Sequence, residues 1–409
     1  MTETDRYAAF RHLSFRRYFA SRFTAAFGAQ ILSVSVAYQI YEETGNAALL
    51  GWIGLVQFLP ALLLVVVTGV ASDKLPRRFV MGAAILLELL CAVIILSLAT
   101  LRQFDPVIVL GVLTLFGVAR AFLSPASASL AVNIVPKEDF ANAVGWTASS
   151  WQLASIAGPA AGGLIFWASP MAAYSSAALS FAVAAALIFS IPKPKQRTSK
   201  EPTTLKTLLG GFSYVWKEKV VFGAISLDLF AVLLGGAVAL MPVYAVDILE
   251  LGSVGNGLLR AAPGIGAIIM VVIVTRFPIR DHAGIILFVS VALFGAATAV
   301  FGASKIAWVS ILALMLVGAF DMVSVLIREV LMQLWTPDEV RGRVNAVNSI
   351  FLGASNELGE ARAGFMAAKL GAVITVVGGG VAAIGVAALW AGLFPRLRKA
   401  RHLEHREEI

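Results

Sequence analysis

Four ionisable residues, Glu88, Arg120, Asp321 and Glu357, stand near the middle of long apolar stretches. At the centre of a lipid-facing helix each would cost about 2.5–3.5 kcal/mol, so the four together would cost on the order of 10–14 kcal/mol. Such groups are tolerated where they face a partner or a watered cavity, and in membrane spans they mark proton and substrate routes. Asp228 stands about two turns into another apolar stretch. Glu360 and Arg362 follow Glu357, and Glu357 and Glu360, three apart, share one helix face. Two carboxylates so placed suit a proton-coupling site. Asp321 and Arg328 also share a face, and Arg328 and Glu329 fall close enough to one end of their span to snorkel to the interface. The plainer alternative for each charge is a buried structural ion pair, for example Arg120 with Glu88. Glu88, Arg120, Asp228, Asp321, Glu357 and Glu360 are therefore candidates for proton coupling or substrate binding. Gln30, Tyr38, Gln39, Trp146, Trp151 and Asn356 are candidates to line a central cavity; the alternative is that the aromatic ones pack or form the interfacial belt.

Other chemistries find little support. There is no phosphate-cradling Gly-x4-Gly-Lys-Ser/Thr loop, which argues against an ATP-driven pump. His12, His282, His402 and His405 all fall outside the apolar stretches, and the single Cys91 lies within one. Neither a zinc-type site nor an intrachain disulfide is expected. No enzyme, cofactor or resident metal is predicted, although carboxylates alone leave a transported metal open.

The elements that must position these residues follow from composition. Of 409 residues, 59% are hydrophobic and 14% charged, with a mean hydropathy of +0.86. A soluble domain is about a quarter charged, so this chain reads as an all-α membrane protein with many spans. The basic, aromatic start runs into a full-length span, which predicts no cleavable signal sequence. Twelve spans are predicted, at residues 22–41, 49–71, 79–100, 107–132, 143–167, 172–191, 220–245, 257–274, 284–301, 308–331, 344–368 and 372–394. The eighth is interrupted by Pro263, Gly264 and Gly266.

Twenty-five of the 32 Lys and Arg fall on one side of this alternation and three on the other. That asymmetry predicts an inner-membrane protein with both termini and the long linker in the cytoplasm, and it requires an even number of spans. The net charge of +8 is thereby a topology signal rather than a sign of nucleic-acid binding. The linker, residues 192–219, begins with Pro192 and Pro194 and is basic; within it 205–216 has the pattern of a surface amphipathic helix. It separates a six-helix bundle at 1–191 from a second at 220–395, followed by a tail at 396–409. The halves echo each other. Gly54, Pro60 and Arg77 match Gly257, Pro263 and Arg280 at one offset; Pro136, Glu138, Gly158 and Gly163 match Pro337, Glu339, Gly359 and Gly364 at another. Two pseudo-symmetric six-helix bundles follow from such a parallel repeat.

Two stretches carry a family resemblance. Gly145 to Gly163 reads Gly-x8-Ala-x3-Gly-Pro-x2-Gly-Gly, a flat helix face at Gly158, Gly162 and Gly163 with a bend invited by Pro159. It resembles the fifth-helix motif of major facilitator antiporters, with Ala154 in place of a Gly. Gly69 to Arg78 resembles the loop motif of the same superfamily, with Asp73, Lys74, Arg77 and Arg78 in place and Pro76 replacing a Gly. Asp73 suits a latch to a helix terminus or an Arg, and the basic residues suit carboxylates or lipid phosphates. These eight residues, Asp73, Lys74, Arg77, Arg78, Gly158, Pro159, Gly162 and Gly163, are the candidates for gating.

Phe15 to Arg22, Thr336 to Arg343 and Asn356 to Glu360 resemble the enterobactin-exporter-like and macrolide-efflux-like branch. That resemblance implies the major facilitator fold and proton-coupled export of siderophores, drugs or similar amphipathic molecules, by a monomer among membrane lipids. Lipid, lysolipid or divalent-metal export on the same fold is the alternative, and a non-transporting membrane receptor or scaffold a more remote one.

Overall fold

The computed structural model describes residues 5–193, 212–279 and 281–400; the side chains of Val66, Asp73, Asp338 and Glu339 lie outside that description. Most of the amphipathic stretch expected at 205–216 also lies outside it, while residues 212–217 are helical. Every described element is a helix or a turn. After a short 3-10 turn at Ala8–Arg11 come α1 (Leu13–Thr44), α2 (Ala47–Leu63), α3 (Val65–Lys74), α4 (Arg77–Thr100), α5 (Pro106–Ile134), α6 (Phe140–Ala168) and α7 (Pro170–Phe189). Then follow α8 (Lys219–Gly235), α9 (Gly252–Arg276), α10 (Ala283–Ala303), α11 (Ala307–Trp335), α12 (Asp338–Leu370), α13 (Ala372–Leu393) and α14 (Pro395–Lys399).

Each predicted span coincides with helix, and two are interrupted. The second divides at Leu64 into α2 and α3, four residues after Pro60. The seventh stops at Gly236, the C-cap of α8, and resumes through a 3-10 turn at Val238–Leu240 and Met241–Val243 into a π-helical turn at Tyr244–Ile248. The eighth is continuous, because Pro263 and the glycines around it serve packing. A Cβ on Gly266 would lie 1.8 Å from the Met315 carbonyl oxygen, and one on Gly318 would lie 1.9 Å from that of Pro263. Only glycine lets the backbones of α9 and α11 approach so closely.

Among the described residues nine helical segments are long and apolar enough to cross a membrane. The three expected spans outside that set are explained by their sequences. The second is broken at Leu64, α6 is rich in Ser, Gly and Ala, and α12 carries Asn356, Glu357, Glu360 and Arg362. A helix polar on one stripe within a hydrophobic chain is one that faces protein or water.

The helices cluster into two compact units: the described residues of Met1–Gln39 with Val56–Thr203, and those of Ile40–Leu55 with Thr204–Ile409. The first unit packs α4 on α5 and α7, and α6 on α7. Tyr18 of α1 donates to the Ser127 carbonyl of α5 at 3.0 Å. The 3-10 turn docks on the start of α6. Asn142 Nδ2 and Trp146 Nε1 both donate to the Arg6 carbonyl, at 2.9 and 3.0 Å, and His12 Nε2 lies 2.8 Å from Asp139 Oδ2.

The second unit packs α10 on α11 and α13, α9 on α11, and α8 on α12 and α13. It includes the tip of the α1–α2 hairpin. There Tyr41 donates to Asp247, Trp52 meets Phe365 edge-to-face at 5.4 Å, and a Cβ on Gly364 would lie 2.3 Å from the Gly51 nitrogen.

Candidate functional site

Five helices of the first unit leave a cavity of about 330 Å³ between them. On α1, Arg22, Ala25, Ala26, Ala29, Gln30 and Ser33 recur at helical spacing and form one wall. The alanines leave the room that the longer polar side chains use. Gln57 of α2, Met81 and Glu88 of α4, Phe116, Arg120, Leu123 and Ser124 of α5, and Trp151 of α6 complete the lining. The glycines fix these positions. A Cβ on Gly158 would lie 2.5 Å from the Gln30 Cβ, and one on Gly162 would lie 2.5 Å from Val34 Cγ1. The flat face of α6 thus lies directly on the cavity wall of α1, with Gly158, Pro159, Gly162 and Gly163 all buried. A Cβ on Gly117 would lie 2.5 Å from the Gln57 carbonyl, so that glycine sets the separation of α2 and α5.

The electrostatics of this cavity are uneven. Glu88 is 1% exposed, and its Oε2 has no hydrogen-bond partner among the described residues. A buried acceptor left unpaired costs about 1–3 kcal/mol, and more when charged. Arg120 does not close on it as an ion pair; its guanidinium donates to Gln57 Oε1 at 3.4 Å. Arg22 donates to Ser127 Oγ. Both guanidiniums line the same cavity as the Glu88 carboxyl. The cavity therefore holds two guanidiniums and one carboxyl, lined besides by amide, hydroxyl and aromatic groups.

The second unit carries its charges differently. Arg328 of α11, 1% exposed, forms an ion pair with Asp228 of α8. It does not snorkel to the interface as its place in the sequence suggests, because its partner lies on a helix a hundred residues earlier. Asp228, Asp321 and Ser324 border a void of about 10 Å³, room for roughly one water molecule. Asp321 makes no hydrogen bond or ion pair among the described residues, although Asp228 and Arg328 lie within electrostatic reach of it. Glu357 and Glu360 flank Gly54, whose Cβ would lie 3.6 Å from Glu357 Oε2 and 3.3 Å from Glu360 Cβ. Arg260 of α9 is within electrostatic reach of both carboxylates.

The structure thus gathers Gln30, Glu88, Arg120 and Trp151 in one cavity and Asp228 and Asp321 around another. Other candidates stand elsewhere. Gln39 accepts from the Tyr174 hydroxyl at 2.6 Å, Tyr38 packs edge-to-face on Phe166, and Trp146 stacks on Tyr7 and moors the 3-10 turn. Asn356 donates to the Leu352 carbonyl of its own helix at 2.8 Å. Arg77, 8% exposed, donates to the carbonyls of Ser72 and Ser129 at 3.4 and 3.0 Å. Arg78 donates to the carbonyls of Phe189 and Ile191. Both tie α4 to its neighbours within the first unit, and Lys74 is exposed at the end of α3. Sequence reasoning missed Arg22, Gln57 and Arg260. Gln57, a lone amide in an apolar run, carried a visible signal; Arg22 was masked by the basic residues before it.

The described residues form an all-helical architecture with many apolar spans and buried charges around internal cavities, in keeping with the major facilitator fold that its family model assigns. Among solved structures, the chain resembles a bacterial homologue of the human lysosomal transporter Spinster in an inward-facing, unoccupied conformation. The TM-score is 0.76 at 13% identity, over 97% of this chain and 99% of that one. It also resembles a bacterial homologue of the iron transporter ferroportin, with a TM-score of 0.70 at 16% identity, over 95% of this chain and 99% of that one. Residues 4–407 match the model of the transmembrane secretion effectors, and the chain belongs to that family. The enterobactin exporter EntS of Citrobacter koseri is 25% identical over 371 residues, 90% of this chain and 87% of that protein. Macrolide efflux protein A of Streptococcus pyogenes is 25% identical over 241 residues, 57% of this chain and 58% of that protein. The chain is thus a transporter rather than an enzyme, related to enterobactin and macrolide exporters.

Proposed function

We propose that this transporter exports amphipathic organic molecules of the siderophore or drug kind from the cytoplasm in exchange for protons, by alternating access. It would work as a monomer in the inner membrane, with both termini in the cytoplasm, and its moving parts would be the halves at 1–191 and 220–395. The observation that carries the reading is the cavity of about 330 Å³ with Glu88, Arg22 and Arg120 on its walls. A volume of that order accommodates a drug-sized ligand, and buried charges are kept in membrane spans where they meet cargo or protons. The resemblance to enterobactin and macrolide exporters supports the same direction of transport.

Substrate sits in the first-unit cavity and the proton on the second unit. Arg328 is ion-paired with Asp228 and not with Asp321, and a proton taken up on Asp321 neutralises it. Proton uptake from outside and release to the cytoplasm would bias the two access states in turn. Glu357 and Glu360, with Arg260 beside them, form a second candidate relay.

The test is efflux from vesicles under an imposed pH gradient. Asp321→Asn should abolish gradient-driven export while the purified variant still binds substrate, and Glu357→Gln should do the same if the second relay is used. Full gradient-driven transport by both variants would remove these carboxylates from coupling. Absence of flux for a broad panel of compounds by the native protein would refute the exporter itself.

A further inference from the structure

The first-unit cavity also carries information about its cargo. Its lining holds two permanent positive charges, Arg22 and Arg120, against the single carboxyl of Glu88. With Glu88 ionised the walls carry a net charge of +1, and with Glu88 neutral they carry +2. Each guanidinium has five N–H donors, and among the described residues each spends them on one acceptor side chain, Ser127 for Arg22 and Gln57 for Arg120. The cavity is therefore rich in charged donors, and its one anionic group is 1% exposed with an unpaired oxygen. Phe116, Met81 and the indole of Trp151 supply apolar surface beside these groups, and Trp151 is 45% exposed.

Resting on the reading of this cavity as the substrate site, we infer that its cargo is an organic anion: a carboxylate, sulfonate or phenolate on an aromatic or apolar body. The anionic group would lie between Arg22 and Arg120, in reach of the donors those side chains leave over. The body would pack on Phe116 and Trp151. Guanidinium forks match a planar carboxylate, and a cation in the same place would meet two like charges with one carboxyl to offset them. Glu88, when ionised, offsets one of the two positive charges, so it tunes affinity downward and keeps binding reversible. It acts on the ligand through the arginines.

The experiment compares three probes of one shape on the purified full-length protein in non-ionic detergent at pH 7.5, by calorimetry. They are 1-naphthoate, 1-naphthamide and 1-naphthylmethylamine. The native protein should bind naphthoate at least about tenfold more tightly than the amide, the scale of a hydrogen bond to a charged group, and bind the amine more weakly still. Arg120→Gln should remove about tenfold for naphthoate only, Arg120→Lys should restore part of it, and Glu88→Gln should tighten it. The comparison of ligands on the native protein decides the matter even if a variant fails to fold. Equal binding of the three probes, or preference for the amine with loss on Glu88→Gln, would overturn the inference. Export of neutral or cationic compounds without a preference for naphthoate would refute the cargo class and leave the exporter standing. Tight naphthoate binding without any flux would refute the exporter and leave the anion site.

Discussion

The ion pair between Asp228 and Arg328 makes a prediction with a sign that simple deletion arguments miss. The side chains are 9% and 1% exposed, so neither charge can be rescued by water when the other is removed. Arg328→Met leaves Asp228 and Asp321 as neighbouring carboxylates around one small void with no cation between them. Breaking a buried pair from one side costs about 3–5 kcal/mol. Replacing both members with apolar residues of similar volume removes the desolvation cost along with the attraction, and is often neutral or stabilising by about 1–4 kcal/mol. At about 2–4 °C per kcal/mol for a unit of this size, Arg328→Met should lower the unfolding temperature by about 6–20 °C. The double variant Asp228→Leu/Arg328→Met should recover the native value or exceed it. The assay is thermal unfolding of purified protein in detergent at one fixed scan rate, since such transitions are commonly irreversible. A single variant within 2 °C of native, as an order-of-magnitude margin, would show that the pair is solvated. A double variant no better than the single would show that Arg328 stabilises the unit by packing rather than by charge.

Three further outcomes follow from the geometry. Gly158→Ala places a methyl 2.5 Å from the Gln30 Cβ and 3.3 Å from the Phe27 carbonyl oxygen, so α6 must move off α1. It should cost about 1–3 kcal/mol by thermal unfolding and weaken substrate binding, because Gln30 lines the cavity. Asp105 caps α5 by accepting from the Val107 and Ile108 nitrogens at 2.7 and 3.3 Å; Asp105→Ala should cost about 0.5–2 kcal/mol with binding unchanged. Asn142→Ala removes the side chain that donates to the Arg6 carbonyl and accepts from the Ala9 nitrogen, and should speed tryptic cleavage after Arg11, read by mass spectrometry.

The sequence made the helices legible and the partnerships much less so. A run of apolar residues with one charge in it identifies a span, and Glu88 and Arg120 were found on that ground and share one cavity. Arg328 was misread because proximity to a span end is a local property, whereas its ion pair depends on how α11 packs against α8. Gln39 and Trp146 looked like cavity residues, since a polar side chain that lines a cavity and one paired with a distant hydroxyl or carbonyl have the same spelling. The second span reads as continuous although Pro60 lies within it, and it is interrupted at Leu64, whereas Pro159 leaves α6 continuous. A proline states where a helix can yield, and the neighbouring helices decide whether it does.

The mooring of the first turn onto α6 has a practical corollary. Trp146 reaches 140 positions back along the chain to hold the Arg6 carbonyl. Any tilt of α6 must then drag that opening segment with it or tear four polar contacts. A fluorescent label on residue 7, opposite the indole, would thus convert the tilt of an inner helix into a quenching signal readable from outside the bilayer.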